Sequence, residues 1–303
     1  MINTLEDLAK IAESCEMKIS DIALQKQSAL LEIPEKEVYA KMQKNLEVML
    51  DSIKKGCKKN ISSASGLTGG SAYKMQKQID ANQTVCGSLL SNAIKMALAV
   101  SEMNASMGKI VAAPTAGSCG ILPAAIGALI QEKGVSKDIA TKALFTAGQI
   151  GLIIANNASI SGAEGGCQAE CGTASAMAAA AIVEIEGGTP TMCINAVAIA
   201  IKCILGLVCD PVAGLVEVPC IKRNASGVTL AFTAAEMSLA GIKSAIPADE
   251  VVLAMKKVGC AIPQALRETA DGGLATTPTG KKIQKDLFGN NSLSNCRSCK
   301  SCL

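Results

Sequence analysis

The chain has 303 residues, of which 49% are hydrophobic but only 2% are aromatic, with 14 cysteines and no histidine. A chain of this length can bury about three quarters of its unfolded surface, so it needs no disulfides to fold. Its net charge of +3 is not concentrated in blocks of one sign, and no basic stripe carries the aromatic residues that stack on bases. We therefore expect a core of small aliphatic side chains and no nucleic-acid partner.

Residues 1–56 are rich in charge and carry apolar residues at helical spacing. Leu5, Leu8, Ile11 and Ala12 fall on one predicted helical face, and Pro34 is placed to open a further helix. This region is predicted to be a solvent-facing helical cap. It contains no apolar run long enough for a signal peptide, so we expect a reducing, cytoplasmic location in which clustered thiols indicate metal binding or catalysis.

The run "KKNISSASGLTGGSAYK" (residues 58–74) is rich in Ser and Gly and is predicted to be an ordered loop. From residue 79 to 275 the chain is rich in Ala, Met and Leu, which favour helix. The prediction is an all-α fold, with one compact helical catalytic domain (1–286), buried apolar helices and Gly-rich active-site loops, followed by a flexible Cys-rich tail (287–303). The alternative is a parallel α/β sheet, because "GKIVAAPT" could be a short buried strand.

Two uncharged stretches, residues 110–131 and 144–163, are nearly long enough to span a bilayer. The first contains Pro114 and Pro123, and the second contains Gln149, Asn156 and Asn157. We therefore predict helices buried in a protein core, which can be apolar all round, and no membrane partner.

Three cysteines have sequence neighbours that set them apart. Cys167 follows two glycines where a helix is predicted to begin, and the positive end of a helix dipole favours a thiolate. Cys209 and Cys220 each neighbour a proline, which predicts helix ends or loops whose free N–H groups can bond cluster sulfurs.

Other cysteines are better explained as small apolar residues. Cys171, one turn beyond Cys167, is consistent with simple burial, and Cys193 and Cys203 are predicted to lie in the core. The tail places Cys296, Cys299 and Cys302 in a C-x-x-C-x-x-C pattern. A zinc site would need a second compact pair, so this tail either folds back to supply one ligand or is a redox-labile or adventitious metal-binding segment.

Several long motifs cover nearly the whole chain: "SGLTGG" (65–70), "APTAGSCGILPA" (113–124), "GAEGGCQAECG" (162–172), "GLVCDPVAGLVEVPC" (206–220) and "LRETADGGLATTPTG" (266–280). With these motifs the chain resembles the α subunit of the iron–sulfur-dependent bacterial L-serine dehydratases. The resemblance implies a 4Fe-4S cluster held by Cys167, Cys209 and Cys220, with one iron open to substrate. It also implies a separate β subunit in an αβ heterodimer, and in single-chain relatives a C-terminal cysteine that caps the open iron, a part that one of Cys296, Cys299 and Cys302 could play.

The implied reaction converts L-serine to pyruvate and ammonia, with the open iron as a Lewis acid on the hydroxyl and a base removing the α-proton. Without histidine, the base is left open, and the candidates are Lys109, Glu164 and Asp210. Gly-rich turns can hold a carboxylate with backbone N–H groups. The substrate-binding residues that the resemblance implies are Ser65, Thr68, Gly69, Thr115, Ala116 and Gly117, with Lys109 or Arg223 as a charge partner.

Three alternatives remain open at the level of sequence. A pyridoxal-phosphate dehydratase would need an α/β fold and a phosphate loop beside a Schiff-base lysine. A cysteine desulfidase would share the cluster chemistry and differ in the leaving group. A non-enzymatic helical scaffold would explain the apolar composition equally well.

Overall fold

The computed structural model describes residues 2–289. This part of the chain folds into thirteen α-helices joined by loops and short 3-10 or π turns. The helices are α1 (Leu5–Ser14), α2 (Ile19–Leu31), α3 (Glu35–Gly56), α4 (Ser71–Asp80), α5 (Gly87–Ala105), α6 (Ile121–Lys133), α7 (Lys137–Asn157), α8 (Gly162–Gly165), α9 (Thr173–Ile185), α10 (Pro190–Lys202), α11 (Cys220–Leu239), α12 (Ala248–Ala261) and α13 (Pro278–Phe288).

The all-α prediction is confirmed. Residues 2–289 contain no β-strand, and their one bridge pairs Cys209 with Arg267. The segment "GKIVAAPT" is irregular backbone between α5 and α6, so the α/β alternative is wrong. Ala-, Met- and Leu-rich segments formed helices because their unbranched or small side chains lose little freedom there.

Helix α9 forms the centre of the molecule. Every residue from Thr173 to Glu184 is buried, and the helix is surrounded by α6, α7, α10 and α11. Its run of alanines lets neighbouring backbones approach closely, as predicted from the shortage of large side chains.

The N-terminal region is helical as predicted, but its buried face differs from the prediction. Leu5, Leu8, Ala9 and Ala12 are buried, whereas Ile11 is 38% exposed. The i, i+3, i+4, i+7 stripe therefore runs through Ala9 and leaves Ile11 at its edge. Pro34 precedes the first residue of α3, as predicted.

The predicted loop over residues 58–74 is correct only as far as Gly70, because α4 begins at Ser71. The carboxylate of Glu102 accepts hydrogen bonds from the backbone N–H groups of Ser71 and Ala72. This cap comes from another helix, so local sequence did not reveal the start of α4.

In the part of the chain that the structure describes, one helix, α7, is long and apolar enough to cross a membrane. Buried residues make up 67% of its apolar window. Core helices of folded proteins have the same composition, so this is weak evidence for a span. At the C-terminus, α13 continues to Phe288, two residues past the predicted domain boundary, and Cys296, Cys299 and Cys302 lie outside the described residues.

Candidate active site

Three buried thiols come from three separate segments. Cys167 begins the helical run that passes through a π-helical turn (Gln168–Gly172) into α9. Cys209 lies in the extended segment after α10, and Cys220 is the first residue of α11. They are 2%, 3% and 7% exposed, respectively. The helix-end and loop settings predicted for all three are therefore present.

The thiols influence one another electrostatically. The pKa of Cys167 is lowered because the neighbouring Cys171 thiol stabilises its thiolate and Arg223 adds positive charge, which together outweigh burial. Burial raises the pKa of Cys220 to about 12, and the charge of Cys167 adds to the rise. Burial and the charge of Cys167 also raise the pKa of Cys209. If all three thiols are to be ionised at once in this buried region, further positive charge must balance them.

This donor set is chemically suited to an iron–sulfur cluster. No group of three His, Cys, Asp or Glu side chains within residues 2–289 is arranged to hold a metal ion. Cys167, Cys209 and Cys220 would be the residues to hold a cluster of several irons. All three donors are soft sulfurs, which suit iron–sulfur clusters better than hard cations.

Arg223 and Asp210 form a partly buried ion pair at 2.8 Å. Arg223 also donates to the carbonyl of Val208, and Asp210 accepts from the backbone N–H of Leu274. The segment after α12 is fixed further at Cys209, whose N–H donates to Leu266 at 2.8 Å. Two predicted functional residues are thus paired with each other and hold the Cys209 loop in place.

The first glycine loop (residues 61–70) contains the predicted substrate-binding hydroxyls. Ser65 and Thr68 both donate to the carboxylate of Glu217, at 2.7 and 2.5 Å. Gly69 has a φ of +150°, and a β-carbon there would collide with the carbonyl of Ile61. This position therefore requires glycine.

The second glycine loop (residues 113–120) packs beside the π-helical turn. Thr115 donates to the carboxylate of Glu170, and a β-carbon at Gly117 would lie 2.6 Å from that carboxylate. Ala116 is exposed, and its carbonyl accepts from Asn104 near the end of α5. The first glycine loop bonds the same helix end through Ala64 and Ala105, so the two loops meet there.

Asn224 connects the second glycine loop to the Cys220 segment. This fully buried amide donates to the carbonyls of Gly117 and Cys220 and accepts from the N–H of Gly120. Both N–H groups and the oxygen of this amide therefore bond the second glycine loop to the start of α11.

The remaining candidates for the base lie outside this network. Lys109 is exposed between α5 and the second glycine loop. Glu164 is exposed on α8 and accepts a hydrogen bond from Ser159 at 2.6 Å.

Cys193 is buried as predicted, but Cys203 is exposed. It caps the C-terminus of α10, where the helix has already left the core.

Sequence reasoning missed Glu170, Glu217 and Asn224. Glu170 lies one turn after Cys167, Glu217 lies three residues before Cys220, and Asn224 lies one turn after it. Burial raises the pKa of the Glu170 carboxyl, although the Thr115 hydroxyl opposes the rise. Helical spacing from Cys167 and Cys220 could have identified Glu170 and Asn224 as neighbours of the site. Glu217 lies in the turn before α11, where that signal does not apply.

The fold and site define an all-helical protein that places three buried thiols beside two glycine loops. The chain matches the serine dehydratase alpha chain family over residues 14–275. It is 48% identical over 289 residues to a probable L-serine dehydratase alpha chain of Bacillus subtilis (strain 168), covering 95% of this chain and 96% of that one. It is 43% identical over 288 residues to an L-serine dehydratase alpha chain of Peptoniphilus asaccharolyticus, covering 95% and 99%.

A third relative is longer. The L-serine dehydratase TdcG of Escherichia coli (strain K12) is 45% identical over 181 residues, which are 59% of this chain but 40% of that protein. The chain described here belongs to the serine dehydratase alpha chain family.

Proposed function

We propose that this chain is the catalytic alpha chain of an L-serine dehydratase, an ammonia-lyase that converts L-serine to pyruvate and ammonia. The observation that carries the proposal is the set of three buried thiols beside two loops rich in hydroxyl and backbone N–H groups. The names of the full-length relatives support the same reaction. The all-helical fold does not suit the pyridoxal-phosphate alternative.

We propose that Cys167, Cys209 and Cys220 hold a 4Fe-4S cluster. When bound, the cluster would supply a Lewis acid that makes the substrate hydroxyl a better leaving group. Arg223 contributes positive charge beside Cys167 and, through its pair with Asp210, anchors the loop of Cys209. These residues therefore hold and balance the thiolates rather than react.

Glu170 is the best-placed group to accept the α-proton of serine. It stands on the π-helical turn between Cys167 and α9 and reaches the second glycine loop through Thr115. Burial raises the pKa of its carboxyl, which is the change that makes a carboxylate a stronger base. Loss of the α-proton and of the hydroxyl would leave an aminoacrylate, which hydrolyses to pyruvate and ammonia.

We propose that a separate beta chain completes the site. The relatives that this chain covers almost entirely are named alpha chains, and the longer TdcG protein has further sequence beyond the shared part. The cysteines among the described residues are free thiols, which supports a reducing cytoplasmic location.

The test is anaerobic purification of the chain with its beta chain, followed by iron analysis and a pyruvate assay with L-serine. We expect about four irons per complex for one cubane, and loss of both iron and activity when Cys167, Cys209 or Cys220 is changed to alanine. The matched control is Cys203→Ala, because that thiol is exposed at the end of α10 and is not one of the three proposed ligands.

Two results would contradict the proposal. A complex that binds no iron after anaerobic reconstitution would favour the helical scaffold. A complex that releases sulfide from L-cysteine and no pyruvate from L-serine would favour the desulfidase.

A further inference from the structure

Four carboxylates are buried among the described residues: Glu102, Glu184, Asp210 and Glu217. Removing a charged group from water is costly unless nearby charge or dipoles offset it. The surroundings of each carboxylate therefore indicate how its charge is balanced.

Three of the four have a visible source of positive potential. Asp210 is paired with Arg223. Glu102 accepts from the N–H of Ser71 at 2.8 Å, at the first residue of α4. Glu184 accepts from the N–H of Ser20 at 3.2 Å, in the first turn of α2. The N-terminus of a helix carries a partial positive charge that favours an anion there.

Glu217 differs from these three. It is 6% exposed, and its side-chain partners are the neutral hydroxyls of Ser65 and Thr68. The ion pairs within residues 2–289 do not include it. Each hydroxyl occupies one acceptor site on a different carboxylate oxygen, and a carboxylate has about four such sites. The hydroxyls bring no net charge, and no cation within residues 2–289 pairs with this buried carboxylate.

The position of Glu217 indicates which cationic group it could bind. It lies three residues before Cys220 and holds the first glycine loop, which meets the second glycine loop at the end of α5. A substrate bound between these loops and the thiols would lie beside the carboxylate.

We infer that Glu217 binds the ammonium group of the amino-acid substrate and thereby selects α-amino acids over hydroxy acids. The inference rests on the proposed function. Each oxygen of Glu217 keeps a free lone pair, so an ammonium group can donate to the carboxylate while Ser65 and Thr68 keep their own hydrogen bonds. Such a charge-assisted hydrogen bond is stronger than a neutral one.

The experiment compares wild type and Glu217→Gln in the anaerobic complex with the beta chain. It measures the KM for L-serine and the inhibition constants of L-alanine and 3-hydroxypropanoate. L-alanine keeps the ammonium group but lacks the hydroxyl, whereas 3-hydroxypropanoate keeps the hydroxyl but lacks the ammonium group. In Glu217→Gln we expect the KM for L-serine and the inhibition constant of L-alanine to rise roughly ten- to hundredfold, because a hydrogen bond to a charged group is lost. The inhibition constant of 3-hydroxypropanoate should change less than about threefold.

Two control variants accompany this comparison. Glu236→Gln removes an exposed carboxylate from α11 and should leave all three constants unchanged. The double variant Ser65→Ala with Thr68→Val removes both hydroxyl donors but keeps the carboxylate. This variant should weaken the binding of 3-hydroxypropanoate and of L-alanine to a similar degree, because it disturbs the loop without removing the charge.

Three outcomes would overturn the inference. If Glu217→Gln raised the inhibition constants of L-alanine and 3-hydroxypropanoate equally, the carboxylate would only position the loop. Unchanged constants would mean that it does not face the substrate. A KM that depends on K⁺ in wild type but not in Glu217→Gln would place an inorganic cation there. A wild-type complex that releases no pyruvate would instead refute the proposed function.

Discussion

At the scale of single residues, Glu170 adds a half-buried carboxylate to a site that otherwise consists of three thiols and two glycine loops. It stands on a π-helical turn, a rare element that is found frequently at functional sites, and Thr115 donates a hydrogen bond to it from the second glycine loop. We proposed this carboxylate as the base, so we expect its replacement by the isosteric amide to affect the reaction more than the fold.

We expect Glu170→Gln to lower kcat by about 10²–10⁴-fold, the usual contribution of a general base, while iron content stays at the wild-type level. The matched control is Glu164→Gln, which removes the exposed carboxylate on α8. Steady-state pyruvate assays and iron analysis of both variants check the prediction. A larger loss of kcat in Glu164→Gln than in Glu170→Gln would assign the base to α8 instead.

The sequence predicted the settings of the three thiols but not their partners. The prolines beside Cys209 and Cys220 and the glycines before Cys167 are local signals, so they identified helix ends correctly. Thr115 and Glu170 are 55 residues apart, and Ser65 and Glu217 are 152 apart. Such contacts depend on how helices pack, and a single sequence contains no local signal for them.

At the scale of the elements, small residues set the distances between helices. Gly56 at the end of α3 lies against α5, and a β-carbon there would meet the backbone carbonyl of Ala99. A backbone atom cannot move aside as the end of a side chain can. Gly148 on α7, by contrast, has open space around its α-carbon.

We expect Gly56→Ala to lower the free energy of unfolding by about 1–3 kcal/mol through overpacking. Gly148→Ala should raise it by about 0.5–1 kcal/mol, because alanine favours helix over glycine. Urea denaturation of both variants measures the two effects with opposite signs. If Gly56→Ala were as stable as Gly148→Ala, the close contact between α3 and α5 would be wrong.

Helix identity was predictable from composition and periodicity, but helix boundaries were less so. The start of α4 at Ser71 depends on Glu102, a residue of α5. The exposure of Ile11 likewise depends on where α10 and α12 pack against α1. These errors arise where tertiary contacts, rather than local propensity, decide the outcome.

At the scale of the whole molecule, composition predicted the fold class because the long apolar runs are rich in Ala, Met and Leu, and few segments show the alternation of strands. The central position of α9 follows from the same fact, since its alanine run is apolar on every side. The order in which helices surround α9 was not predictable, because many apolar helices in this chain have similar faces.

We expect this chain to need a partner chain for activity. The chain contains no histidine, its full-length relatives are named alpha chains, and it covers only 40% of the longer TdcG protein. We therefore expect the isolated chain to keep its fold and to bind iron. Its rate of pyruvate release should be less than about 1% of the rate of the complex, because several site groups acting together supply more than about a hundredfold in rate. Adding purified beta chain under anaerobic conditions should restore activity to wild-type alpha chain and not to Cys167→Ala, as measured by pyruvate release and by co-elution in gel filtration. Full activity of the isolated chain would mean that the residues described here complete the site without a partner.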